Sequence, residues 1–200
     1  MMASVGQVPH PVGTIWTLSL DEPVPVVRTS FPAVFSRVDL QSAPELALAM
    51  GVDVLAEVVL RFETGRHCYV ARVDGRIAAY GWVSFDEEFI GELNLRLRLL
   101  PGEAYIWNCA TLPAYRQNYL YSALLVYIVC ELSKEQLSRI WIGADIDNTT
   151  SQRGIARAGF MYVADLFVTW TSTLQRMWLQ GKPGIMESLV AEASRVFGIK

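Results

Sequence analysis

The chain has 200 residues, 52% of them apolar and 11% aromatic, which argues against disorder and suits one domain with a sizeable core. A formal net charge of −3 argues against a nucleic-acid binder with a basic face. The 17 Lys and Arg still leave room for a local cationic patch facing a phosphorylated ligand.

Residues 1–13 carry Gly, two Pro and His10 and read as an irregular tail. The β-branched and aromatic run 14–20 predicts a strand. Two prolines make 21–27 an edge or a connector. A short strand is expected at 33–38. Residues 44–63 place apolar side chains at helical spacing, with Gly51 dividing two short helices. The segment 67–85 predicts a hairpin turned at Asp74-Gly75. In 92–100, Leu93, Leu95, Leu97 and Leu99 take one face of a strand, and Asn94, Arg96 and Arg98 take the other. A buried strand follows at 104–112, then a helix at 119–137 and a strand at 139–146. A short helix comes next, with Thr149 as N-cap, Gln152 completing a capping box and Gly159 past its end. Strand 161–170 follows, then a segment 173–179 that can pair back on it, and a helix at about 185–197.

Cys68, Cys109 and Cys130 are widely spaced and odd in number, which suits free thiols in a reducing compartment and gives no metal-ligand spacing. The longest apolar run, Leu120 to Val129, is far short of the ~20 residues that span a bilayer. The N-terminus lacks the basic and apolar regions of a signal peptide. A soluble cytoplasmic protein is expected, with no metal, no nucleic acid and no membrane partner.

Strand 104–112, loop 113–118, helix 119–137 and strand 139–146 make a βαβ crossover. Its loop lies at the carboxyl edge of the first strand, where open sheets hold ligands. Arg116 offers a cation there, and the amides of Asn118 to Ser122 are the unpaired donors of a helix start. Such a site can hold a phosphate without glycine.

Two motifs in this stretch resemble the GNAT superfamily of N-acetyltransferases. The family's acetyl-CoA loop follows Arg/Gln-x-x-Gly-x-Gly/Ala, often after Pro-x-Tyr-Arg. Pro113, Tyr115, Arg116 and the run Ser122-Ala123-Leu124-Leu125 match it. The second motif, Asn followed by a short helix and Gly-Phe, is met by Asn148, Gly159 and Phe160. The resemblance covers about 34–170 and is specific in 104–163. It leaves an N-terminal extension (1–30) and a C-terminal strand and helix (171–200) unexplained.

The resemblance implies one α/β (α+β) domain with a mixed central sheet of about six or seven strands flanked by helices. Splayed parallel strands would form a CoA wedge between 104–112 and 139–146. It implies acyl transfer from acetyl-CoA, another acyl-CoA or a phosphopantetheine thioester on an acyl carrier protein. The acceptor would be the amine of a small molecule or a protein. The alternative is a non-catalytic acyl-thioester-binding or protein-interaction module. A homodimer is compatible with the apolar composition.

Cys109, Ala110, Thr111 and Leu112 would pair with the pantetheine arm like an added strand. Arg116, Gln117, Asn118, Tyr119, Leu120, Tyr121 and Ser122 would surround the pyrophosphate. Asn148 would touch cofactor or substrate, or serve the turn before its helix. The chain departs from the family pattern at three places. Tyr119 and Tyr121 stand where the loop glycines belong, and are read either as ligand-facing groups or as packing for the helix start. Ile155 stands where many members carry a tyrosine for the departing thiolate. Tyr105 stands where some carry a glutamate base. Candidates for these roles are Glu103 or Asp145 as base and Tyr105, Tyr119 or Ser151 as acid. Arg96, Arg98 and His67 read more simply as strand residues, and Cys109 as a buried thiol.

Overall fold

The computed structural model describes residues 9–51, 55–170 and 175–199. The element that organises the rest is β7 (Glu103–Thr111), which crosses the centre of an eight-stranded mixed sheet. Its neighbours are β4 (Arg76–Ser84), antiparallel, and β8 (Arg139–Asp145), parallel. Outward from β4 lie β3 (His67–Val73) and β2 (Val34–Val38). Outward from β8 lie β1 (Pro11–Ser19), β9 (Met161–Trp170) and β10 (Gln175–Gly181). A separate ribbon pairs β5 (Glu87–Ile90) with β6 (Leu95–Arg98).

The sheet holds one strand more than the upper expectation. Its N-terminal strand is not a tail appendage: β1 lies between β8 and β9, antiparallel to both. Thr14 and Thr17 tie it in, donating their hydroxyls to the carbonyls of Ala144 and Ile140. The Asp74-Gly75 hairpin forms as expected, both residues having positive φ as a primed turn requires.

One face of the sheet is covered by α3 (Leu120–Leu132) and α4 (Thr149–Arg157). Leu124, Leu125, Ile128 and Leu132 of α3 and Ile155 of α4 are fully buried there against Ile106, Ile140 and Ile142. α3 stops at Leu132, five residues earlier than the sequence suggests. The amides of Lys134 and Glu135 turn to the carbonyls of Glu131 and Leu132, and the Ser133 hydroxyl donates to the Cys130 carbonyl. This tightened turn ends the helix where its apolar run ends.

The other face carries two separate clusters. α1 (Ala43–Met50) and α2 (Leu55–Glu63) pack through Leu46 and Val58 on β3 and β4. α5 (Glu187–Val196) and the ribbon pack through Leu189, Leu95 and Leu97 on β1, β8 and β9. Arg96 and Arg98 face outward, as the alternation predicts. Residues 1–8 of the expected tail, 52–54 inside the predicted helical stretch 44–63, and 171–174, which include the start of the predicted segment 173–179, lie outside the described residues.

Candidate active site

β7 and β8 run parallel and paired only from Glu103↔Arg139 to Ile106↔Ile142. Beyond that they part. β7 stays on β4 as far as Thr111, and β8 follows β1 as far as Asp145. A bulge assists the parting. The β4–β7 register shifts between Tyr80 and Trp82, where Asn108 takes a positive φ of 43°. Gly81 of β4 is needed at this point, because a Cβ there would sit 2.8 Å from the Cys109 thiol.

A cavity of about 780 Å³ opens on the α3–α4 side of the wedge. It is lined by Cys109, Ala110 and Thr111 on β7 and by Arg116, Gln117, Asn118, Tyr119, Leu120, Tyr121 and Ser122 on the loop and helix start. Asn148, Thr150, Ser151, Gly154 and Arg157 close it from α4. Every expected cofactor contact except Leu112 is therefore on one wall system. Leu112 lies past the strand's end, its amide committed to the Ala78 carbonyl.

The loop keeps a glycine-type path without glycine. Gln117 and Tyr119 have φ of 65° and 60°, the left-handed region that costs a non-glycine residue about 1–2 kcal/mol. The first α3 bond runs from the Ala123 amide to the Tyr119 carbonyl, so the amides of Leu120, Tyr121 and Ser122 precede the helical ladder. Asn118 pins the turn by donating its side-chain amide to the Arg116 carbonyl at 2.8 Å.

The cavity lining contains no carboxylate. Arg116 donates Nε to the Thr111 carbonyl, and the Arg157 guanidinium lies 4.6 Å over the Tyr119 ring. Neither makes an ion pair among the described residues. The Thr111 hydroxyl oxygen is buried without a partner among the described residues. Free amides, unpaired arginines and an orphaned hydroxyl fit a phosphate-bearing ligand with an extended polar arm.

The two loop tyrosines behave differently. Tyr119 is half exposed and takes Arg157 on its face. Tyr121 is sunk between α3 and α4, its ring lying where a Cβ on Gly154 would collide with it. Its hydroxyl accepts from Ser151 Oγ at 3.1 Å. Because Tyr119 is strained and exposed, Tyr119→Gly should cost little. Relief of the left-handed strain offsets glycine's extra chain entropy and the lost cation–π contact. The expected result is a stability within about 1 kcal/mol of wild type in urea melts, with CoA affinity by calorimetry raised several-fold by the wider approach.

A second cavity, about 880 Å³, opens on the opposite face between α2, the β5–β6 ribbon and the parted strands. Glu57, Glu88 and Glu92 line it, with Arg61, Arg66, Tyr105, Trp107, Asn108 and Gly143. Arg61 pairs with Glu57, donates to the Asn108 side chain at 3.2 Å and lies 4.6 Å over Trp107. Glu88 is nearly buried. It accepts from Ser84 Oγ at 2.6 Å and pairs with Arg66 at 2.9 Å, while Trp107 Nε1 donates to the same Ser84 oxygen. Glu92 is exposed and in no ion pair among the described residues.

Of the five catalytic candidates only Tyr119 and Ser151 share a cavity. Tyr105 is buried on the second cavity, its hydroxyl against the Gly143 backbone and its ring edge-on to Phe197. Burial, and then Cys109, hold that phenol protonated. Ser151 lies in the first cavity, bound to Tyr121. Asp145 is exposed and lines neither cavity but a third depression with Pro11 and Val12, which adjoins the first through Asn148. Glu103 lies in none of the three. It accepts from the Leu100 amide and Trp141 Nε1 and pairs with Arg195 at 2.6 Å, four residues before the parting. A carboxylate so committed is a strand-end anchor, which corrects its reading as a base. His67 is packed edge-on to Phe85, where burial lowers its pKa to about 4, and it lines none of these cavities. Cys109 keeps its thiol, pushed up to about 12 by burial. The N-cap of α4 is Asn148, accepting from the Ser151 amide at 3.0 Å, rather than Thr149. Gln152 makes no capping box and donates to the carbonyls of Asp145 and Ile146 instead.

Gly154 and Arg157 escape a reading that stops at the α4 cap, although Thr150, Gly154 and Arg157 share a face at helical spacing. Nothing local in the sequence marks Glu88 or Arg61, which reach their cavity from different elements.

The sequence profile of the acetyltransferase (GNAT) family matches residues 36–160. The chain belongs to the GNAT acetyltransferase family. Among solved structures it resembles a GNAT-family acetyltransferase from Colwellia psychrerythraea, at 11% identity and a TM-score of 0.55, covering 78% of this chain and 54% of that one. A GNAT-family protein from Novosphingobium aromaticivorans is 20% identical at a TM-score of 0.52, covering 78% of this chain and 62% of that one. A tandem GNAT protein from the clavulanic acid biosynthesis pathway is 20% identical at 0.54, covering 76% of this chain and 50% of that one. At these identities the likeness is one of fold. The chain spans only 50–62% of these three longer proteins. No curated protein matches it in sequence. The family is one of acetyltransferases. No helix among the described residues is long and apolar enough to cross a membrane.

Proposed function

We propose that this GNAT protein moves an acyl group from a phosphopantetheine thioester, in the first instance acetyl-CoA, to an amine. The observation that carries the reading is the charge difference across the parted strands. The cavity on one side has arginines, helix-start amides and no carboxylate. The cavity on the other has three carboxylates, two of them already neutralised by arginine. Phosphates are drawn to the first side and an ammonium to the second, so donor and acceptor meet where β7 and β8 separate.

In this reading the backbone of Cys109 to Thr111 pairs with the pantetheine arm as an added strand. Arg116 and the amides at the start of α3 hold the phosphates. Glu92, the carboxylate of the acceptor cavity without an ion-pair partner, receives the ammonium's proton through water and frees the nitrogen to attack.

Acetyl-CoA should raise the melting temperature by mass action, and an amine panel should release free thiol. Arg116→Ala should weaken acetyl-CoA binding about tenfold in calorimetry, the loss of one charge-assisted phosphate contact. Unchanged affinity in that variant would remove Arg116 from the site. A rise in melting temperature without thiol release from any amine would favour an acyl-thioester sensor. No rise with free acyl-CoA, but turnover with an acylated carrier protein, would move the donor to the carrier.

A further inference from the structure

We propose that the acceptor is a monoamine, one primary ammonium on an apolar body, with no carboxylate and no second charge. The inference rests on the acyl-transfer reading above and names the substrate class of its second cavity. In that reaction the amine nitrogen bonds to the carbonyl carbon, the carbon–sulfur bond breaks and its electron pair goes to sulfur. One proton of the ammonium passes through water to Glu92 before attack. The second goes to the sulfur, which leaves as a thiol.

The cavity has no cation to give a carboxylate. Arg61 and Arg66 are the two that line it, and both are fully engaged. The Arg61 side chain is only 11% exposed. It pairs with Glu57, donates to the Asn108 side chain and lies over the rings of both Trp82 and Trp107, at 5.1 and 4.6 Å. Arg66 uses all three of its nitrogens, two on Glu88 and the third on the Thr64 hydroxyl. Drawing it to a ligand would leave the nearly buried Glu88 without its counter-charge. A carboxylate on the substrate would therefore stand unpaired near Glu92, where like charges repel. The same count limits the positive charge. Glu57 and Glu88 are matched by the two arginines, so Glu92 is the one carboxylate left to face an ammonium.

The walls select the body that carries the nitrogen. Leu60 on α2 and Phe89 on β5 both line the cavity, yet they are 57% and 52% exposed. Ile90 and Trp107 continue this apolar lining. A hydrophobic group seated on Leu60 and Phe89 removes from water apolar surface that the fold itself leaves wet. Glu92 stands on the turn directly after β5, so a body resting on Phe89 carries its ammonium within reach of that carboxylate.

The test uses 2-phenylethylamine and three relatives. Phenylalanine adds a carboxylate, ethylamine lacks the ring, and 1,4-diaminobutane replaces the ring with a second ammonium. Each is titrated by calorimetry in the presence of CoA and turned over with acetyl-CoA, thiol release being read. 2-Phenylethylamine should bind and turn over best. Phenylalanine and ethylamine should each be poorer roughly 10- to 100-fold in kcat/KM, and 1,4-diaminobutane no better than ethylamine. Two variants tie these preferences to their residues. Phe89→Ala should narrow the preference for 2-phenylethylamine over ethylamine about fivefold. Glu92→Gln should narrow the preference for 2-phenylethylamine over phenylalanine in Kd, because the ammonium loses its counter-charge and the carboxylate its repulsion. Both readouts are ratios within one variant, so a general loss of stability does not move them. A panel led by phenylalanine or 1,4-diaminobutane overturns the proposal and leaves acyl transfer standing. So does a preference for 2-phenylethylamine that neither variant changes. Preferential binding of 2-phenylethylamine without thiol release supports the ligand class of the cavity and overturns the transfer reading. No binding and no turnover with any of the four overturns the proposal, and the melting shift with acetyl-CoA then decides the donor reading alone.

Discussion

Glu103→Ala should cost about 3–4 kcal/mol of stability and leave the chemistry of the folded protein unchanged. The carboxylate is 7% exposed and accepts from two groups that have no obvious substitute, the Leu100 amide and the indole of Trp141, itself wholly buried. Each orphaned donor costs about 1–3 kcal/mol. Arg195 is a third exposed and rehydrates, so its loss adds little. For a chain of this length the melting temperature should fall by roughly 10 °C, read by calorimetry or circular dichroism. Glu103→Gln should fall about half as far, because its carbonyl still accepts one of the two bonds. With kcat per folded molecule unchanged in both, Glu103 is an anchor for α5 and the base of β7. A Gln variant that melts near wild type but has lost turnover would restore the residue to the catalytic candidates and overturn its assignment here.

That same residue shows where the sequence was legible. The strand, loop and helix around 104–132 could be read locally, because an apolar run, a turn-prone segment and a second apolar run each act through neighbours in sequence. The residues singled out at the strand end, loop and helix start line one cavity, Leu112 excepted. The charge of Glu103 could be read too, but not its partner, since Arg195 lies 92 residues away. The place of β1 was hidden for the same reason. Its alternation marks a strand, yet Thr14 bonds a carbonyl 130 residues on, and nothing local selects the slot between β8 and β9. The second cavity is assembled from α2, β5, the turn after it, β7 and β8, so no single motif carries it. At the start of α4, Asn148 and Thr149 are both good caps. The backbone chose the one whose oxygen reaches the Ser151 amide.

Gly154→Ala should destabilise the protein on its own and stabilise it when Tyr121 is removed. In an ordinary helix interior alanine gains about 0.5–1 kcal/mol over glycine. Here the new methyl group meets the Tyr121 ring, and overpacking of this kind costs about 1–3 kcal/mol. The net loss expected in a chemical melt is about 1–2 kcal/mol. Tyr121→Ala leaves a cavity between α3 and α4 and costs about 3 kcal/mol by itself. In that background Gly154→Ala has no ring to meet, and the helical preference returns. The two changes should therefore couple by about 2 kcal/mol in a double-mutant cycle. Additive effects would mean that the ring moves aside freely, and the contact would then not fix the phenol. Strong coupling ties the loop tyrosine to the α4 glycine as one unit.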